Sequence, residues 1–211
     1  MDEERTVYGA FKPVLQQVLD DLTAAIETYN AQEKEKSGEA AYEHLIYRIK
    51  GEASMAEKCR RKGLPPTAVS ALHEIRDAIG IRIVCRFMED IYMNIGYLRA
   101  LEGCTIVAEK DYIKNVKPNG YRSYHLILQL ERPYPDALGR NPGLFYAEVQ
   151  LRTIAMDSWA SLEHEMKYKR EIKNAALICR ELKRCADELA ACDVSMQTIR
   201  RLIRDEGKAE G

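Results

Sequence analysis

Residues 79–87 read IGIRIVCRF, a strict alternation that places Ile79, Ile81, Ile83, Cys85 and Phe87 on one side of an extended chain and Gly80, Arg82, Val84 and Arg86 on the other. Residues 145–153, FYAEVQLRT, repeat the device, with Ala147, Val149 and Leu151 opposed to Glu148, Gln150 and Arg152. Strands with one apolar and one charged face need a sheet that packs a core on one side and leaves the other open for chemistry. That requirement constrains the fold more than any other feature of the chain.

The remaining periodicities supply the helices. Val7, Phe11, Val14, Val18, Leu22, Ile26 and Tyr29 recur at spacings of three and four, which predicts an amphipathic first helix; AQEKEKSGEA after it reads as a polar connector. Ile91, Ile95, Leu98 and Leu101 predict a helix over 89–102, stopped by Gly103, before a strand near 104–109 and a further alternating strand in YRSYHLILQL. Ile178, Leu182, Cys185, Leu189, Cys192, Met196, Ile199 and Ile203 form a coiled-coil-like seam that suits either the chain's own domain or a subunit interface. The expected fold is α/β (α+β): a mixed, mostly antiparallel sheet flanked by helices. It is one domain over 1–211, with an N-terminal helix and connector at 1–38, a core at 39–170 and a C-terminal helix at 171–211.

Composition removes several classes of function. A chain of 211 residues can bury about 70% of its unfolded surface without disulfide or metal staples. With 32 Lys+Arg against 33 Asp+Glu, the surface is not globally basic, which argues against a duplex-DNA coat. The start MDEERTVYGA lacks a basic-then-apolar leader, no 18 apolar residues run together, and six cysteines occur without a CxxC pair. A cytoplasmic protein with reduced thiols and no membrane span is expected.

Local charge is different. Between Arg48 and Lys62 six bases face two acids, and a helix in SMAEKCRRKG puts Ser54, Lys58 and Arg61 at i, i+4 and i+7 on one face. A triphosphate suits such a row, since arginine offers phosphate a fork and lysine a point charge; a solvated basic face is the alternative. Asp77 precedes the arginine-bearing strand and Glu148 sits on a strand whose other face is apolar, so a divalent cation such as Mg2+, shared with substrate phosphates, would satisfy both. Glu148 could instead pair with Arg152 or Arg82. Lys117, the Pro118-Asn119-Gly120 turn and Tyr121 form a strand-tip loop where a base could stack on the ring, and His125 follows one step beyond Ser123. There is no GxxxxGK[ST], GxGxxG, HExxH or GxSxG motif, and no His-Asp dipeptide.

Taken together, RIKGEASMAEKCRRKG (48–63), RDAIGIRIVCRF (76–87), DYIKNVKPNGYRSYH (111–125) and EVQLRTIAMDSWASLEHEMKYK (148–169) resemble the synthetase domain of the RelA/SpoT family, in the manner of its stand-alone small alarmone synthetases. The resemblance implies a nucleotidyltransferase-like sheet and a stringent-response pyrophosphokinase that moves the β,γ-pyrophosphate of ATP to the 3′-hydroxyl of GDP or GTP, giving ppGpp or pppGpp and AMP. It assigns Arg48 and Arg82 to the adenine, and Lys50, Ser54, Lys58 and Arg61 to the triphosphate. Asp77 and Glu148 go to Mg2+, Glu148 also accepting the 3′-hydroxyl proton, while Tyr121 goes to guanine and Lys117, Asn119, His125 and Gln150 to the acceptor nucleotide. A homotetramer is implied as well.

Two other readings stay open on sequence alone. The acceptor could be ADP or a tRNA 3′ end, as in family toxins, because a tyrosine stacks any purine. Alternatively, the 48–62 patch could hold a nucleotide or single-stranded RNA without catalysis, and single-stranded RNA is equally a candidate regulator of the enzyme.

Overall fold

The computed structural model describes residues 6–167 and 174–209. Its centre is a five-stranded sheet in the order β1-β2-β5-β4-β3. The strands are β1 (His44–Ile49), β2 (Ile79–Cys85), β3 (Cys104–Asp111), β4 (Tyr124–Arg132) and β5 (Gly143–Thr153). The helices are α1 (Lys12–Ser37), α2 (Glu52–Arg61), α3 (Met88–Ala100), α4 (Ile154–Lys167) and α5 (Ala175–Ala209). β2 and β5 run parallel and the other three pairings are antiparallel, so the sheet is mixed and mostly antiparallel, as expected.

Alternation divides the sheet into two faces. On one side Ile79, Ile81, Ile83, Leu126, Leu128, Ala147, Val149 and Leu151 are buried together with Leu15, Leu19 and Leu22 of α1, Met55 and Cys59 of α2, and Ile91 and Leu98 of α3. Each large side chain removed from water there contributes about 1.5–3 kcal/mol. On the other side the register sets Arg48 opposite Gly80, Gly80 opposite Glu148, Arg82 opposite Gln150 and Gln150 opposite His125. Paired residues share a face. The polar positions of four strands therefore stand in one patch.

Three expectations change. A strand, β1, precedes α2; it is an edge strand with Ile46 and Tyr47 both exposed, so its alternation of HLIYRI carries little apolar contrast. The stretch AQEKEKS continues α1 rather than leaving it, because Ala, Gln, Glu and Lys are good helix formers and the helix ends only at Gly38. There φ is 77° and the amide donates to the Lys34 carbonyl at 3.0 Å, a left-handed cap that glycine allows.

The third change concerns α5. Leu182 and Ala186 pack with Trp159 and Ala160 in a small separate cluster, and the Trp159 indole donates to the Leu182 carbonyl at 2.9 Å. Beyond them the inward face turns polar. Asp193 accepts from the Thr153 hydroxyl at 2.6 Å, Gln197 accepts from the Glu89 amide at 3.1 Å, and Arg200 pairs with Asp90 at 2.5 Å and with Glu39. The expected seam is divided: Leu182 packs within the chain, whereas Met196, Ile199 and Ile203 are 52%, 49% and 64% exposed, as the interface alternative would leave them. The 170/171 boundary falls outside the described residues. Among those described, no helix is long and apolar enough to cross a membrane, and all six cysteines are free.

Candidate active site

The polar face of β1, β2 and β5 floors an open cleft of about 340 Å³, lined by Arg48, Lys50, Asp77, Gly80, Arg82, Glu148 and Gln150 among others. That volume is in the range of small-ligand sites. Arg48 lies across from Gly80, and Arg82 is two residues further along β2 on the same face. Such a diagonal separates their backbones by about 7–8 Å, leaving room for a flat ring between two guanidinium groups. Gly80 adds no side chain to the floor.

Lys50 is fixed at both backbone groups. Its amide donates to the Ala78 carbonyl at 2.8 Å and its carbonyl accepts from the Tyr8 hydroxyl at 2.8 Å. Burial, with the nearby Asp77 and Glu52 charges, pushes that tyrosine's pKa up. α2 is anchored by buried Met55 and Cys59, which turns Lys58 inward. Both lysines pair with Oδ2 of Asp77, a carboxylate only 8% exposed. Two cations on one carboxylate leave a net positive centre, and this offsets the cost of burying the acid. Ser54 and Arg61 share the helix with Lys58 but are exposed and outside the cleft lining.

Glu148 stands on β5 with its Oε1 3.5 Å from Nδ1 of His125 and its Oε2 accepting from Gln150 Nε2 at 3.2 Å. The hydrogen bond from His125 holds the Glu148 carboxyl below its ordinary range against the opposing effect of burial, and the Gln150 amide and Lys58 charge add to it. Glu148 thus pairs with His125, whereas Arg82 and Arg152 turn to Asp157, at 3.2 and 2.9 Å.

The network runs on into the Lys117–Tyr121 loop. Arg152 donates to the Tyr121 hydroxyl at 2.7 Å and to Gln150 Oε1 at 3.0 Å, and the Tyr121 hydroxyl lies 2.9 Å from Nε2 of His125. Since the tyrosine oxygen already accepts from Arg152, its proton is free to go to Nε2, which places the imidazole hydrogen on Nδ1, facing Glu148. The Lys117 ammonium sits 4.5 Å from the Tyr112 ring and 4.6 Å from the Tyr121 ring, between two aromatic faces. Asn119 caps the turn, accepting from the Tyr121 amide at 3.2 Å while its side-chain nitrogen donates to Glu163.

The cleft itself gathers Arg48, Lys50, Asp77, Arg82, Glu148 and Gln150; Lys58 joins it through Asp77 and His125 through Glu148, while Tyr121, Lys117 and Asn119 lie beyond its lining, connected through His125 and Arg152. Asp157, Tyr112 and Arg152 as a bridge to the loop were not assigned from sequence; the signal for Arg152 was its place on the Glu148 and Gln150 face. The donors suit Mg2+. Asp77 Oδ1 is buried with no hydrogen-bond partner among the described residues, and carboxylate oxygen is the ligand a hard cation takes. No three His, Cys, Asp or Glu side chains gather as a metal cage among those residues.

Comparison with known proteins agrees with this geometry. Residues 47–173 match the family model described as a region found in RelA / SpoT proteins. The chain is 36% identical over 206 residues to the GTP pyrophosphokinase YwaC of Bacillus subtilis, covering 96% of each chain. It is 31% identical over 208 residues to the GTP pyrophosphokinase YjbM of the same organism, covering 97% of this chain and 93% of that one. The crystal structure of small alarmone synthetase 1 from B. subtilis bound to its product pppGpp superposes with a TM-score of 0.76 at 30% identity, over 89% of this chain and 93% of that one.

Proposed function

Because the chain belongs to the RelA/SpoT family, we propose that it is a (p)ppGpp synthetase, a pyrophosphokinase that transfers the β,γ-pyrophosphate of ATP to the 3′-hydroxyl of GDP or GTP. One observation carries the reading: Asp77, with one buried oxygen unpartnered and the other between Lys50 and Lys58, shares a cleft with Glu148, which leads through His125 to an aromatic and cationic loop.

The placement of most of these residues supports the roles that the family resemblance implies. Arg48 and Arg82 take the adenine between their guanidinium planes, Lys50 and Lys58 turn from Asp77 to the incoming triphosphate, and Ser54 and Arg61 serve its outer oxygens from the exposed face of α2. Tyr121 stacks on the guanine, with Lys117, Asn119, His125 and Gln150 around the acceptor. Asp77 and Glu148 hold Mg2+, which when bound supplies charge neutralisation at the phosphates. The acceptor 3′-oxygen forms a bond to the β-phosphorus, the bridge from that phosphorus to the α-phosphate oxygen breaks, and AMP leaves with the electron pair. Glu148, kept ionised, receives the hydroxyl proton with His125 Nδ1 beside it. Little covalent help is needed, because holding reactants in line can by itself supply about 7–11 kcal/mol.

The exposed apolar residues of α5 support a homotetramer, and the exposed bases Arg60 and Lys62 support a regulatory contact with single-stranded RNA. Free thiols support a cytoplasmic setting. The test offers labelled ATP with GDP, GTP, ADP and deacylated tRNA side by side. Label appearing in ppGpp or pppGpp with matching AMP release is the expected result; label moving only to ADP or tRNA, or to nothing, would overturn it.

A further inference from the structure

Arg76 is the one non-glycine residue with positive φ among those described, at 62°, and it immediately precedes Asp77. A side chain held there costs of order 1–3 kcal/mol and persists only when its surroundings enforce it. Those surroundings are visible. The π-helical turn Ser70–Glu74 presents the His73 carbonyl to Arg76 Nε at 2.8 Å, and the guanidinium lies 4.6 Å from the centre of the Tyr146 ring. Tyr146 is buried on β5, two residues before Glu148 and on the same face. Its hydroxyl donates to Gln129 at 3.2 Å, and His73 meets the ring edge-on at 5.7 Å.

The consequence lies in parity. In plain extended backbone Asp77 would share a face with Ile79, Ile81 and Ile83, which point into the core. Asp77 lies in the irregular segment between the π-helical turn and β2, with a bend at Ala78, so it escapes that alternation; the left-handed Arg76 sets how this segment leaves the turn, and the Asp77 carboxylate lines the cleft with Glu148. Arg76 reaches from the segment bearing one carboxylate to the strand bearing the other.

We propose that Arg76 and Tyr146 are a positioning pair: their stack, with the left-handed backbone at Arg76, sets the separation of Asp77 from Glu148 and hence the affinity for the divalent cation. This rests on the reading that those two carboxylates hold Mg2+. Neither residue lines the cleft; both act through Asp77.

The test measures Mn2+ binding by electron paramagnetic resonance in the presence of a non-hydrolysable ATP analogue, together with KM for GDP and the thermal midpoint. Arg76→Ala and Tyr146→Leu should each weaken Mn2+ binding by about 10- to 100-fold, the cost of losing support behind a metal ligand, with KM for GDP little changed. Arg76→Gly, which keeps the backbone but loses the stack, should fall between wild type and Arg76→Ala. Tyr146→Phe, which keeps the ring, should rescue, and Arg76→Ala combined with Tyr146→Leu should cost no more than either alone. Arg76 is exposed, so its variants decide the matter even if Tyr146→Leu folds poorly. Wild-type Mn2+ affinity in Arg76→Ala would overturn the inference. Asp77→Asn is measured in parallel: if it too binds Mn2+ like wild type, the magnesium reading itself is overturned, whereas loss in Asp77→Asn alone removes only the positioning pair.

Discussion

The imidazole of His125 lies between two functional side chains, with Nδ1 3.5 Å from the Glu148 carboxylate and Nε2 2.9 Å from the Tyr121 hydroxyl. In the proposed site it links the carboxylate assigned to the metal to the aromatic ring assigned to the acceptor's base.

Replacing that link should therefore act on turnover more than on ATP binding. His125→Ala is expected to lower kcat by about 100-fold, the size of effect that a misplaced reacting group produces, while KM for ATP moves less than threefold. Steady-state kinetics with ATP and GDP varied separately checks this. Equal losses in both KM values with kcat intact would contradict it.

The acceptor loop is pressed against α5. A Cβ on Gly120 would meet the Ala186 Cβ at 2.5 Å and the Lys183 Cα at 3.0 Å, and φ there is +92°. Gly120→Ala should cost about 1–3 kcal/mol in stability and raise KM for the guanine nucleotide, since Lys117 and Tyr121 flank the displaced turn. Urea unfolding and a GDP titration read the two effects.

Acid should remove one defined part of the stability. The Asp136 carboxylate is buried, which alone would raise its pKa, yet hydrogen bonds from the Leu144 and Arg140 amides, the Arg140 guanidinium and the Leu138 amide bring it down to about 2. An unfolded Asp titrates near 3.9, so this contribution is complete above about pH 4 and is lost as the pH falls towards 2. The shift corresponds to about 2–3 kcal/mol. Asp136→Asn should lose that amount at pH 7 and show a shallower fall in stability between pH 4 and pH 2, measured by denaturant unfolding.

The exposed seam of α5 gives a prediction about assembly. Ile199 and Ile203 are 49% and 64% exposed in the single chain, and a charge at each should dissociate the proposed homotetramer without unfolding the sheet. Light scattering of the Ile199→Glu, Ile203→Glu variant checks it; an unchanged particle mass would place the interface elsewhere.

Much of this was legible in the chain. β2 and β5 declare themselves because each has a fully apolar face, and their alternation alone puts Glu148, Gln150 and Arg82 on the opposite side. β1 did not, because an edge strand has little apolar contrast to display. The polar end of α1 was missed for a related reason: a solvated helix has no apolar stripe, and only Gly38 marks its end. On α5 the apolar seam was visible but its direction was not, because the buried face is polar where Asp193, Gln197 and Arg200 find partners on distant segments. The residue types of the site were readable, whereas the left-handed turn at Arg76 and the pairing of Arg152 with Asp157 rather than Glu148 are properties of backbone and packing.

The central claim is that Asp77 and Glu148 act together on one divalent ion beside Lys50 and Lys58. The most direct measurement is AMP release from ATP in the presence of GDP, titrated with Mg2+, for wild type, Asp77→Asn and Glu148→Gln, each checked for an unchanged thermal midpoint. The account predicts Mg2+-dependent release by wild type and a fall of at least about 1,000-fold in both variants, as expected when charge stabilisation of the transferring group is lost. Release within tenfold of wild type in either folded variant would contradict it.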